Sequence, residues 1–318
     1  KERKNNLVAQ IAETAWVLSG SRNLKYLSPF LPRAVDFSDD GENWRAGYGR
    51  VSNIKFTPPE DFFVSSLDKD NCELFFSESS TRNVTINQIR NVVNILTEDP
   101  SSRQAFIAIA LPGDNLVSNT TKDTPCTLNI QFLIREGELH CIVFMRSNDC
   151  IWGLTGINYF EWTFLQEVIA GILDVKVGTY DHTAGSFHIY ERHYETVDKI
   201  LLEYPHVEEF IPSRHVPLNV SSMDSFENSL KTYMSIFDSI LTKQVPLELC
   251  IKNLGEFLGE DSNLHKYLAL PLLQALFKIR GVSVPEIHNL FLNFDSDSYL
   301  WRGILKSNKF FFKGFFNK

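Results

Sequence analysis

Residues 125–149 read PCTLNIQFLIREGELHCIVFMRSND, and the rest of the chain is arranged around this stretch. Thr127 to Ile134 and Leu139 to Met145 are strand-like, dense in apolar and β-branched residues. Arg135-Glu136-Gly137-Glu138 between them reads as a hairpin turn. Cys126 stands after a polar loop and directly before the first strand, where a sulfur can project into a cleft at the strand end. Arg146-Ser147-Asn148-Asp149 follows the second strand and packs a cation, a hydroxyl, an amide and a carboxylate into four positions.

Outward from the hairpin, periodicity supplies the other elements. Leu7 to Leu18 reads as a helix, with Ile11, Ala15 and Leu18 on one face and Gly20 as its stop. Ser28 to Gly49 is loop-like, with the turn sequence Ser38-Asp39-Asp40-Gly41. Asn87 to Leu96 is a second helix ended by Asp99-Pro100, and Ala105 to Leu111 is a short strand. Phe160 to Leu173 is an apolar helix. Gly185 to Tyr190 reads as a short strand, which puts His188 and Tyr190 on one side. From Ser222 onward Phe226, Leu230, Tyr233, Met234, Phe237 and Leu241 recur at helical spacing, and Val245–Leu258 and Leu264–Ile279 continue in that character. The expected fold class is α+β (α/β), a mixed sheet flanked by helices. Residues 1–212 are expected to form one domain, the candidate catalytic one, and 213–318 a C-terminal helical extension.

Composition narrows the class of function. A 318-residue chain with 43% apolar and 22% charged residues buries a full core without staples. A net charge of -8 argues against a general nucleic-acid binder, yet a few converging arginines still hold one phosphate. The five cysteines contain no CxxC pair, so neither a disulfide framework nor a zinc site is expected, and a reducing, cytoplasmic compartment fits. No apolar run is long enough to span a bilayer, and Lys1 to Asn6 is not a signal peptide; no membrane partner is expected.

Pro125-Cys126, Gln131-Phe132, Arg146-Ser147-Asn148-Asp149 and Gly153-Leu154 together resemble the central signature of thymidylate synthases and the related pyrimidine nucleotide hydroxymethylases. Upstream, Glu13-Thr14-Ala15-Trp16, Tyr48-Gly49 and Asp99-Pro100-Ser101-Ser102-Arg103 resemble further motifs of that family in the same order. The resemblance covers about residues 7 to 195.

It implies a thymidylate synthase-like fold and one-carbon transfer to C5 of a pyrimidine nucleoside monophosphate, dUMP being favoured, with 5,10-methylenetetrahydrofolate as cofactor. Cys126 is the implied nucleophile, adding at C6, with its pKa lowered by nearby arginine. Arg146 and Ser147 are implied phosphate ligands. Arg103 resembles an arginine that crosses to a partner's phosphate, so a homodimer is implied. Glu13 resembles the glutamate that organises water and proton transfer, and Tyr48 the tyrosine that supports proton abstraction. Asp149 corresponds to the pterin-binding aspartate. Asn158 falls near the asparagine that pairs with the base after one inserted residue, and His188 and Tyr190 resemble the pair holding the 3′-hydroxyl.

Four departures bear on the reaction. Thr127 replaces the histidine that usually follows the cysteine, and Gln104 stands where a second phosphate arginine is expected. The Leu27–Gly41 loop lacks the tryptophans that flank the folate, and the carboxy-terminal cap is replaced by the helical extension. A looser folate wall admits water, so hydroxymethylation is as well supported as methylation. The alternative is a catalytically weakened relative acting as a nucleotide-binding or protein-interaction module. The Phe310–Phe316 run reads as rings packed on the core, with membrane or partner contact as the other reading.

Overall fold

The structure, a computed structural model, describes residues 6–56, 72–76, 82–117, 119–203, 217–259 and 262–292. Pro212, the expected domain boundary, and the Phe310–Phe316 run lie outside the described residues.

Helix α1 (Leu7–Leu18) starts where the Asn6 side chain accepts from the Ala9 amide at 3.2 Å. Ten of its residues are buried, from Val8 to Leu18 with Glu13 as the single exception. A helix buried on nearly every face belongs inside, and α1 is the central one. Strands β1 (Ile54–Phe56), β2 (Cys72–Phe76) and β3 (Arg82–Ile86) follow as an antiparallel sheet in the order β1-β3-β2. Helix α2 (Gln88–Glu98), capped by Asn87, buries Ile89, Val92, Val93 and Leu96 as its spacing predicts. Strand β4 (Phe106–Ala108) and the short helix α3 (Pro112–Leu116) lead to the hairpin.

Strands β5 (Thr127–Arg135) and β6 (Glu138–Met145) pair antiparallel with Arg135 opposite Glu138. The two turn residues, Glu136 (φ 54°) and Gly137 (φ 78°), both lie in the left-handed region that a two-residue hairpin of this twist needs. Ile130, Phe132, Leu139, Cys141 and Val143 are buried on the inner face. Strand β7 (Asn148–Asp149), a π-helical turn over Cys150–Asn158 and helix α4 (Tyr159–Ile172) complete the segment, and α4 packs on α1 and β6.

Two differences from the sequence reading appear next. Strand β8 (Lys176–Ala184) has no counterpart in that reading, yet it pairs parallel with β6 and completes the mixed sheet β4-β5-β6-β8. Its residues are polar on one face and only half-buried on the other, so no apolar alternation announces it. The strand expected over Gly185–Tyr190 contracts to β9 (Phe187–His188), parallel to β7. The chain then leaves the ladder, because the Tyr190 carbonyl accepts from the His193 amide at 2.8 Å and opens a 3-10 turn.

Helix α5 (Tyr194–Glu203) ends this part of the described chain. Beyond it lie α6 (Met223–Thr242), α7 (Leu247–Gly259), α8 (Asn263–Ala275) and α9 (Val284–Leu292). Helix α8 lies along α1 and α6, and its buried leucines join the same hydrophobic cluster as Trp16 and Trp162. Phe237 of α6 meets the rings of Tyr26 and Phe30 at 5.6 and 5.7 Å. Among the described residues no helix is long and apolar enough to cross a membrane.

The junction of sheet and helix depends on one amide. Pairing of β6 with β8 slips between Leu139 and Cys141, leaving carbonyls without ladder partners. Gln166 of α4, buried, donates from Nε2 to the carbonyls of Leu139 (2.8 Å), Thr179 (3.0 Å) and Gly178 (3.3 Å). Gln166→Leu keeps the volume and removes the donor, and is expected to cost about 1–3 kcal/mol in urea unfolding. An unchanged midpoint would show that the bulge carries no such cost.

Candidate active site

The return of the hairpin brings Arg146 back to Cys126. The Arg146 amide donates to the Cys126 carbonyl at 2.9 Å. Its guanidinium reaches around the loop, with Nε to the Pro125 carbonyl (2.9 Å), Nη2 to the Thr124 carbonyl (3.0 Å) and Nη2 to Cys126 Sγ (3.6 Å). Beneath them, the Tyr48 hydroxyl accepts from the amides of Cys126 (3.3 Å) and Thr127 (3.1 Å). The Tyr48 ring packs on Trp162 of α4 at 5.6 Å.

The thiol pKa differs from expectation. Burial pushes Cys126 up, Arg146 pulls it down only in part, and the Asp123 carboxylate adds to the rise. The Arg146 guanidinium is exposed and spends its hydrogen bonds on backbone carbonyls, so its charge is screened. Burial likewise raises the Tyr48 phenol, which keeps its proton while the oxygen accepts two amides.

Glu13, half-buried on α1, has its pKa pushed up to about 7 by desolvation. Facing it from α4 is Glu161, 1% exposed. Burial and the Glu13 charge drive Glu161 far above the carboxylate range, against a hydrogen bond from Asn158. Asn158 is buried at the end of the π-turn. Gln10 Nε2 of α1 donates to the Gly156 carbonyl and so pins that turn to the central helix. A Cβ at Gly153 would stand 1.9 Å from Asn148 Oδ1, so a larger residue there would displace the Asn148 amide.

Asp149, buried, accepts the Trp152 amide on Oδ2 at 2.5 Å, while its Oδ1 is buried with no partner among the described residues. Register places Asp149 opposite His188. The His188 and Tyr190 rings meet edge to face at 4.8 Å even though Tyr190 lies beyond the strand, and Arg192 covers Tyr190 at 4.0 Å. Ser147, half-buried, separates Arg146 from Asn148. Arg103 stands apart: its side chain is exposed beside β4, where its carbonyl accepts from Gln131 at 3.1 Å.

Sequence reasoning missed Glu161, His182 and Tyr180. His182 is held at both ring nitrogens, by Asn148 (2.8 Å) and by the Tyr180 hydroxyl (2.8 Å), and burial lowers its pKa. A signal for Glu161 was present: it shares the helical stripe of Phe164, Leu165 and Val168, all buried, where an acid is out of place. His182 and Tyr180 lie on the unread strand β8 and had none.

The strand ends bring together a thiol and an arginine, the facing helices add two acids raised by burial, and comparison identifies the family. A sequence model of thymidylate synthase matches residues 2–229, and the chain belongs to the thymidylate synthase family. It is 30% identical over 257 residues to the deoxyuridylate hydroxymethyltransferase of Bacillus phage SP01, covering 76% of this chain and 61% of that one. To the enzyme of the same name from Delftia phage PhiW-14 it is 32% identical over 209 residues, 63% of this chain and 50% of that one. The thymidylate synthase of Francisella philomiragia is 25% identical over 213 residues, covering 64% and 68%. The chain thus spans between half and two thirds of the length of these two phage relatives. The solved thermostable thymidylate synthase A of Bacillus subtilis is 22% identical with a TM-score of 0.47, covering 65% of this chain and 66% of that one.

With its thiol raised, Cys126 is expected to alkylate slowly near neutral pH and faster as pH rises. Arg146→Met should shift that profile further to alkaline pH, read by mass spectrometry of the Cys126 peptide against iodoacetamide. An identical profile in the variant would remove Arg146 from the control of the thiol.

Proposed function

We propose that this chain transfers a one-carbon unit to C5 of dUMP, with hydroxymethyl-dUMP as the product. The observation that carries this is the contact of Cys126 Sγ with Arg146, over the Tyr48 hydroxyl that holds the Cys126 and Thr127 amides. Uracil C5 is a poor nucleophile until a thiolate adds at C6. The new S–C6 bond pushes the C5–C6 electron pair toward C4, leaving an enolate whose oxygen needs a proton source. Glu13, with its pKa at about 7, gives and takes a proton near neutral pH. Asn158 pairs with the base edge, His188 and Tyr190 hold the 3′-hydroxyl, and Arg146 and Ser147 hold the phosphate. Binding of that phosphate frees the Arg146 fork from backbone carbonyls and brings a second anion to the thiol's neighbourhood. The hydroxymethyl product is supported by the names of the phage relatives and by the loop without tryptophans.

5,10-Methylenetetrahydrofolate supplies the one-carbon unit when bound. Asp149 Oδ1 is a buried acceptor with nothing described to satisfy it, which suits a pterin N–H. Asp149 also caps the turn that carries Trp152, 60% exposed, a flat apolar surface beside that acceptor. The residues fit the cofactor. The described cysteines, Cys126, Cys141, Cys150 and Cys250, are unpaired, which supports a reducing cytoplasm as the setting.

A homodimer through the outer face of β4-β5-β6-β8 completes the reading. That face exposes Phe106 (54%) and Phe144 (36%), with Gln131 beside Phe106; Arg103, exposed next to β4, is the proposed reach to a second copy's phosphate. Phe106→Glu with Phe144→Glu is expected to convert dimer to monomer in light scattering; a wild-type monomer would overturn the assembly.

The function is tested with dUMP, dCMP, UMP and CMP tritiated at C5, each with methylenetetrahydrofolate. Release of label from dUMP that is abolished in Cys126→Ala, with a product heavier by one hydroxymethyl group, is expected. Equal dTMP and dihydrofolate would establish methylation instead. Nucleotide binding without release from any substrate would favour a binding module.

A further inference from the structure

Glu161 has no role in the mechanism above, yet the site is built around it. Its side chain is 1% exposed and Oε1 is buried with no hydrogen-bond partner among the described residues. The Asn158 side chain interacts with the carboxyl. No lysine or arginine forms an ion pair with it among the described residues. An uncompensated buried carboxylate is costly enough that the group keeps its proton instead.

The groups around Glu161 agree with this. From α1 it faces Glu13, from the turn at Tyr48–Val51 the Tyr48 phenol, and from β8 the Tyr180 phenol, itself beside Cys141 of β6. All are acids raised by burial, and none supplies a positive charge. The one base nearby, His182, is held at both nitrogens and its pKa is lowered. The neighbour that ionises first is Glu13, and once it does Glu161 is held protonated more firmly.

We propose that Glu161 is a positioning residue for Glu13: kept as the neutral acid, it limits the pair to one negative charge and leaves Glu13 as the carboxyl that changes protonation in turnover. Its carbonyl oxygen meanwhile accepts the Asn158 amide, which fixes the orientation of the side chain that reads the base. One buried acid thereby ties base recognition to proton transfer. The part concerning turnover rests on the proposed C5 chemistry; the part concerning the proton does not.

The sign of the linkage gives a test free of catalysis. Both carboxyls have folded pKa values above the ordinary value of about 4.3, so unfolding between that value and the Glu13 midpoint releases a proton from each. The stability they contribute is complete below the ordinary value and is lost as pH rises through the folded midpoints. Proton release on unfolding is measured by calorimetry in buffers of different ionisation heat. Glu161→Gln, which keeps the acceptor for Asn158, is expected to release one proton fewer than wild type. Equal release would overturn the neutral acid whether or not the chain turns over dUMP.

The second arm is the pH profile of label release. Glu161→Gln should keep the acid limb set by Glu13, while its activity persists at alkaline pH where wild type falls. Glu161→Leu, which also loses the Asn158 contact, should raise the KM for dUMP at all pH values. A Glu161→Gln profile superimposable on wild type, or a folded Glu161→Gln protein inactive at every pH, would overturn the positioning role. Altered proton release in a chain without label release would leave the neutral acid standing and sink the C5 reading alone.

Discussion

Helix α1 is buried along nearly its whole length, and that constraint organises the molecule. A helix with no solvent face can carry a charged group only where something is gained from its discomfort. Glu13 is that group. Around it α4 supplies Glu161, the end of the π-turn supplies Asn158, the turn at Tyr48 supplies a phenol, and α8 packs alongside with leucines. The sheet holds the thiol and the arginine, but the central helix sets the dielectric in which the carboxyl works.

The raised thiol gives the free protein a quiet nucleophile. Arg146 touches the sulfur while its hydrogen bonds are committed to the loop that carries Cys126. A ligand phosphate would compete for those bonds, so thiol reactivity and substrate binding draw on the same guanidinium.

The parts legible in the sequence were those with strong local physics. Helix α1, helix α2 and the β5–β6 hairpin were read from periodicity, caps and a glycine turn, and Cys126 with Arg146 from their places at strand ends. Strand β8 was not, because a strand covered by one helix and otherwise open shows no apolar alternation. Tertiary pairing with β6 decides it. Glu161 was hidden for the opposite reason: its helix was read correctly as apolar, and the acid in its stripe passed as an interruption. The thiol pKa was misjudged because sequence shows the arginine but not the burial that outweighs it.

The π-helical turn at Cys150–Asn158 has a consequence in angular terms. Successive residues of an α-helix are separated by about 100° around its axis, and a π-turn takes in one residue more than an α-turn. Here Gln10 reaches the Gly156 carbonyl and Gly153 lies against Asn148 near the middle of the turn. A relative with one residue fewer would present the neighbouring side of the same turn to the cleft. Length at this single point thus sets which side chains the turn directs inward.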